Sequence, residues 1–322
     1  MKTPAWHAQG MPSWLLKTAL QHAIGVLPYP HRWNYLLQRF VAKSLELDAD
    51  ALEARLDDFQ KHLDHYLERQ SQTRFPFTAM DLGTGWYPSF PLVLYLSGAE
   101  KIWTIDIESH LNRARVHRSI ELLCQLHRED RLARHLRLID PGRMSSLRDA
   151  LPLARSESPA QFLRRFGIEV MIRDAQSTGL PVNSVDLFCS HVVLEYIPRV
   201  ALRGIFLEFR RIATRRAIAS HCINMTDQFA CFDRSITPFN FLKFTERQWR
   251  VLNSPIIWQN RLRVSDYREL LRETGYDIIR EINVNGSLDT LKSIRLAPDF
   301  QRYSEADLLV LNTWLVAKPQ PS

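Results

Sequence analysis

The segment Asp81-Leu82-Gly83-Thr84-Gly85 offers the clearest starting point for chemistry. Only 11 glycines occur in 322 residues, and two of them stand here one residue apart, directly after a short apolar run. A strand that runs into a glycine turn and then a helix lets the backbone approach a ligand closely, because no side chain blocks it. About twenty residues further on, a second apolar run over 101–105 ends in the carboxylate of Asp106. At the carboxyl edge of a parallel sheet, such a group can accept hydrogen bonds from both hydroxyls of a ribose. A third run, 168–172, closes on Asp174-Ala175. Two histidines sit where a general base is useful: His191, just past a fourth run, and His221, at the end of a fifth. An imidazole with an ordinary pKa of about 6.5 suits that duty near neutral pH.

The stretch after His221 interleaves aromatics with Asp227, Asp233, Asn260 and Arg261. Such a surface can stack on flat or sugar-like rings and hydrogen-bond hydroxyls, so these four are the candidate acceptor-binding residues. The same aromatics also suit the packing of a lid onto a sheet. Asp227 and Asp233 offer the oxygen ligands that magnesium takes, but no metal is assigned to the chain. Cys124, Cys189, Cys222 and Cys231 form no CxxC pair, and His191 and His221 add no paired zinc spacing to them. They read as small buried hydrophobes in a reducing, cytoplasmic setting.

The elements that must position these residues are legible as alternating periods. Residues 11–70 read as helices, with Trp14, Leu15, Ala19, Leu20 and Ala23 on one face, punctuated by Pro28 and Pro30. Leu36, Phe40, Leu45, Leu52, Leu56, Phe59, Leu63 and Leu67 recur at helical intervals after them. Strands are expected at 77–82, 101–105, 168–172, 185–190, 216–221, 276–284 and 308–317. Helices are expected at 89–97, 201–212 and, with an N-cap serine at Ser265, 265–274; a short helix is also expected through Leu194, Glu195 and Ile197. Strands alternating with helices imply an α/β fold with a doubly wound, mostly parallel sheet, closed by an antiparallel pair at one edge. The organisation is then an N-terminal helical cap over 1–72 and a second unit over 73–322. Insertions fall at about 111–166, rich in arginine, and at 222–262, the aromatic lid.

The chain resembles the class I S-adenosylmethionine-dependent methyltransferases, of the small-molecule type. The resemblance covers roughly residues 75–222. It is carried by Asp81, Gly83 and Gly85, by Asp106, and by Asp174-Ala175. Later matches are Gly179-Leu180-Pro181, Ser184-Val185-Asp186 and the stretch from His191 to Ile197. It implies a Rossmann-like sheet of seven strands and S-adenosyl-L-methionine lying over the carboxyl ends of strands one to four. By position, Gly83 and Gly85 with Asp81 and Thr84 would admit the methionine part. Asp106 would hold the ribose, Asp174 and Ala175 would meet the adenine, and Ile107 and Ser190 would also belong to the donor site. Many members have a third glycine where this chain has Tyr87, so either the loop is wider or the ring packs beside the donor. Pro88 breaks the GxGxxG of dinucleotide-binding enzymes.

Composition bounds the alternatives. Hydrophobic residues at 45% and charged residues at 24% provide a packed core and exclude global disorder. No apolar stretch approaches the roughly 20 residues that span a bilayer. The N-terminal apolar stretch, broken by Lys17, Gln21 and His22, does not read as a secretory signal. Its helices read as a cap over the donor pocket rather than a peripheral membrane surface. The functional expectation is O-methylation of a small-molecule or glycan-type acceptor. A net charge of +7 motivates nucleic-acid methylation as the alternative. Tyr87 motivates a non-catalytic, donor-binding regulatory subunit.

Overall fold

A computed structural model describes residues 13–25, 47–70, 76–231, 233–253 and 258–320. Leu36, Phe40, Leu45, Pro28 and Pro30 lie outside the described residues. Seven strands form one sheet: β1 (Phe77–Leu82), β2 (Ala99–Asp106), β3 (Ile168–Ile172), β4 (Val185–His191), β5 (Ala213–Asn224), β6 (Tyr276–Asn285) and β7 (Val310–Pro319). Their order is β3-β2-β1-β4-β5-β7-β6. The first five are mutually parallel. β7 is inserted between β5 and β6 and runs antiparallel to both, so the sheet is mixed, its parallel strands closed at one edge by the expected antiparallel pair β6 and β7. The order reverses between β1 and β4, and the crevice at such a switch point is where open α/β sheets bind ligands.

The principal helices are α1 (Ser13–Gly25), α2 (Ala49–Leu67), α3 (Ser89–Leu96), α4 (Arg113–Arg128), α5 (Arg199–Ile212) and α6 (Val264–Glu273). Because successive strand side chains point to opposite faces, Ala79 and Met80 enter different cores. Ala79, Ile102, Leu187 and Ile218 meet α2, α3 and α4 on one face. Met80, Ile105, Phe188 and Ala219 meet Phe206 and Phe209 of α5 and Leu270 of α6 on the other.

Helix α2 forms because its apolar residues recur at helical spacing and Asp48 caps it, accepting from Ala51 N at 2.8 Å. Leu52, Leu56, Phe59 and Leu63 are buried against the sheet. The arginine-rich insertion braces its other side. Arg131 bonds Asp50 at 2.6 Å and also Glu53, and His135 meets Asp57 at 2.8 Å. His62 and His65 both reach the Ser220 hydroxyl, at 2.8 and 2.9 Å, pinning α2 to β5.

Several boundaries differ from expectation for local reasons. The N-cap of α6 is Arg263, not Ser265; Arg263 N donates to Asp266 Oδ2 at 2.8 Å, while the Ser265 hydroxyl bonds Asp307. β7 begins at Val310 because Ser304 caps a separate turn of helix, Glu305–Leu309. The turn through Leu194–Tyr196 is a single 3-10 turn. On α1 the buried side is Trp14, Thr18 and Gln21, whereas Leu16 and Leu20 are exposed. That face docks on the lid, with Trp14 N donating to Asp233 and its ring 5.9 Å from Phe229. The lid aromatics Phe229, Phe239, Phe241 and Trp249 build a third core with Leu291 and Phe300, from the segment between β6 and β7. No described helix is long and apolar enough to cross a membrane.

Since Leu56 is fully buried beneath α2, Leu56→Ala should destabilise the chain by about 2–5 kcal/mol. The urea unfolding midpoint checks this.

Candidate functional site

The turn after β1 is built from two glycines that adopt left-handed backbone angles, φ +91° at Gly83 and +63° at Gly85. Gly83 N donates to Ile105 O at 2.8 Å, and Gly85 N donates to Asp106 Oδ2 at 3.1 Å. The other carboxylate oxygen accepts from Glu108 N at 3.3 Å. The turn and the carboxylate that faces it are thus one unit. A Cβ on Gly83 would collide with Val193 Cγ2, so the loop after β4 closes directly onto the notch. Val192 in that loop takes φ +57°, a costly conformation for a β-branched residue and one that gathers at ligand sites.

Beneath the notch, Thr104 Oγ1 donates to Asp81 Oδ2 at 2.9 Å and lies 2.7 Å from Thr84 Oγ1. Burial pushes the Asp81 carboxyl up to about 7, although the Thr104 bond pulls the other way.

Two cavities adjoin at Gly83 and Val193. One, of about 360 Å³, is lined by Asp106, Ile107, Asp174 and Ala175. Ile107 is 70% exposed there, an apolar side chain without cover. Asp174 holds its own loop, accepting from Gln176 N and Nε2 at 2.9 Å each. The other, of about 440 Å³, is lined by Asp81, Thr84, Gly85 and Tyr87, with His191 and the α2 residue Arg55 opposite. Tyr87 packs beside this space rather than filling it, and its hydroxyl accepts from Leu47 N at 3.4 Å, tying down the approach to α2. A groove of about 740 Å³ lies at the other end of the sheet, beside Arg210, Arg211 and Arg215, remote from these strand ends.

Among the expected bases, the structure separates the two histidines. His191 lines the cavity, with Asp58 Oδ2 3.8 Å from its Nε2. Burial holds it below the ordinary imidazole value, opposed by Asp58, so it is neutral near pH 7. His221 requires a correction. It faces the opposite side of the sheet, sealed against Phe206, with Nδ1 2.8 Å from Ser190 Oγ. Burial lowers it to about 4. An imidazole so enclosed cannot reach an acceptor. Ser190 is corrected with it, because its buried hydroxyl is spent on His221 and borders neither cavity.

The four expected acceptor residues are also structural. Asp227 accepts from Phe229 N at 2.8 Å and Asn240 Nδ2 at 3.1 Å. Asp233 accepts from Trp14 N and Ser235. Arg261 donates to Phe241 O at 3.0 Å and pairs with Glu246 at 2.8 Å. Asn260 donates to Leu194 O and Ile197 O at 2.9 Å each, bracing the loop behind Val193. All four are buried, because the lid folds around its own core, and none lines either cavity. No group of three or more His, Cys, Asp or Glu among the described residues is placed to hold a metal.

Sequence reasoning missed Thr104, Arg55, Asp58 and Val193. Thr104 had a faint signal, as the one uncharged polar residue in the β2 run. Glu195 was equally silent: it is buried below the same loop, its oxygens meet no side-chain partner, and burial pushes it up to about 8.

No protein-family model matches the chain, and no curated protein matches its sequence. Solved structures resemble it in outline. The geranyl diphosphate C-methyltransferase of Streptomyces coelicolor A3(2) is 11% identical, covering 83% of this chain and 79% of its own, with a TM-score of 0.43. A protein from Pyrococcus horikoshii OT3 is 11% identical over 88% of this chain and 98% of its own, with a TM-score of 0.48. The [4+2]-cyclase SpnF is 14% identical over 82% of each chain, with a TM-score of 0.42. Likeness this slight says nothing about activity. The sheet has the seven strands, closed by an antiparallel pair at one edge, that the resemblance to class I methyltransferases implied.

Two outcomes follow. Gly83→Ala should destabilise by about 1 kcal/mol or more, since both φ and Val193 oppose a side chain; the thermal unfolding midpoint reads this. The Asp81 carboxyl binds its proton more tightly folded than unfolded, so its contribution to stability falls as pH rises from about 4 to about 7. Unfolding titrations across that window should show a shallower decline in Asp81→Asn than in the parent.

Proposed function

We propose that this chain binds S-adenosyl-L-methionine across the two adjoining cavities and transfers its methyl group to a hydroxyl-bearing small-molecule or glycan-type acceptor. The observation that carries this reading is the junction at Gly83. A side-chain-free turn, a carboxylate fixed to it through Gly85 N, and an apolar wall at Ile107 and Ala175 meet there. Asp106 would hold the ribose, Ile107 and Ala175 the adenine, and the turn from Asp81 to Gly85 the methionine part. When bound, the donor supplies an electrophilic sulfonium methyl. The chain's own work is alignment and the exclusion of water, effects that reach several kcal/mol.

An alcohol must lose a proton as it attacks. His191 is neutral near pH 7, lines the cavity and stands beside Asp58, which suits it to receive that proton. The acceptor side is formed by α2 and His191 rather than by the lid. Nucleic acid is the weaker alternative, because arginines of the insertion such as Arg118, Arg131 and Arg165 are engaged in ion pairs with the fold's own carboxylates. A purely regulatory role is weakened by Tyr87, which leaves the crevice open.

Calorimetry should show S-adenosylhomocysteine binding to the parent, with Asp106→Ala weakening it at least about tenfold. No heat with the parent would end the reading. Labelled-methyl transfer to extract components should fall about a hundredfold in His191→Gln with donor affinity kept. Its acid limb should lie below about 6.5, because burial depresses the imidazole pKa. Unaltered turnover would remove His191 from the mechanism.

A further inference from the structure

Helix α5 has two unlike sides. Leu202, Ile205, Phe206 and Phe209 are buried against the sheet, on the face opposite α2. Its outward side carries Val200, Arg203, Leu207, Arg210 and Arg211, three or four residues apart along the helix. No acid stands among them. Glu208 is buried and held by Thr178 and Arg211. Glu269 and Glu273 of the neighbouring α6 are turned to Arg199, in the first turn of α5. Val200 is 83% exposed, more than any other large apolar side chain among the described residues.

The patch continues past the end of the helix. Leu207, Arg210 and Arg211 line the groove of about 740 Å³ together with Val182 and Arg215. Arg211 donates to Leu180 O at 2.7 Å, which ties the loop carrying the exposed Val182 to the helix. Arg203, Arg210 and Arg215 make no hydrogen bond or ion pair with any described residue, whereas Glu208 holds Arg211 and Asp186 holds Arg216. Arg210 is nonetheless fixed in place, packed on Gly275, where a side chain would collide with its guanidinium.

Cations interleaved with uncovered apolar side chains suit a partner that is apolar beneath an anionic layer. A phosphodiester backbone would meet the arginines but gain nothing from Val200 or Val182. Nor does the groove offer an aromatic ring on which a base could stack. We propose that the outward face of α5 and the adjoining groove dock this chain on an anionic lipid surface. Val200, Leu207 and Val182 enter the headgroup boundary, while Arg203, Arg210 and Arg215 meet the lipid phosphates and carboxylates. The cavity under α2 lies on the other face of the sheet, so docking leaves it uncovered.

Flotation tests this with the full chain and vesicles of phosphatidylcholine, alone or mixed with phosphatidylserine at about three to one. The parent should float with the mixed vesicles, dissociate as salt rises, and bind pure phosphatidylcholine at least about tenfold more weakly. Arg203→Gln with Arg215→Gln should weaken binding at least about tenfold. Val200→Asn should weaken it at least about threefold. Arg148→Gln with Arg164→Gln removes the same charge from exposed positions of the insertion and should bind as the parent does. A parent that does not float overturns the proposal. Equal losses in the two double variants overturn it too, because binding then follows net charge rather than this face. So does unchanged binding in Val200→Asn, which leaves the apolar part without a role. Tighter binding of a single-stranded oligonucleotide than of vesicles would give the face to nucleic acid instead.

Discussion

Two hydrogen bonds donated by backbone amides hold the centre of this molecule: Gly83 N to Ile105 O and Gly85 N to the Asp106 carboxylate. They lash the turn after β1 to the end of β2, and both glycines need the left-handed angles that other residues resist. Everything around the crevice depends on that geometry. Val193 can close on the turn only because Gly83 has no side chain. Asn260, at the far end of the lid, braces the same loop through Leu194 and Ile197. The lid therefore serves the crevice from behind, as a support for its wall.

The division of labour between the two additions is physical. The aromatic lid buries its rings in its own core with the segment before β7, so its polar side chains are consumed in holding that core. The arginine-rich insertion grips α2 through Asp50, Glu53 and Asp57, leaving the apolar side of that helix on the sheet and Arg55 at the cavity. Charge that looks like a basic surface in composition is largely cancelled within the fold.

How much of this was legible in the sequence follows from the range of the interactions. The strands over 77–82 and 168–172, the glycine turn and Asp106 are local patterns, with apolar runs that end in turn chemistry, and they appear where expected. The seventh strand's position between β5 and β6 depends on pairing across long separations, which no local period encodes. His221 and His191 look alike in sequence, both at strand ends. Which one meets the cavity is decided by the alternation of strand faces, with Ser190 and His221 on one side and His191 on the other. Asp227, Asp233, Asn260 and Arg261 have the right chemistry for an acceptor, but burial is a property of the assembled lid. Arg55 lay within a helix that read as cap, and only the assembled fold places it along the cavity.

The most direct measurement is a crystal structure of the chain with S-adenosylhomocysteine. The account predicts ribose hydroxyls within hydrogen-bond reach of Asp106, adenine against Ile107 and Ala175, and the sulfur above the turn at Gly83 and Gly85. A nucleoside seated elsewhere, or a crevice that stays empty at saturating ligand, would contradict it.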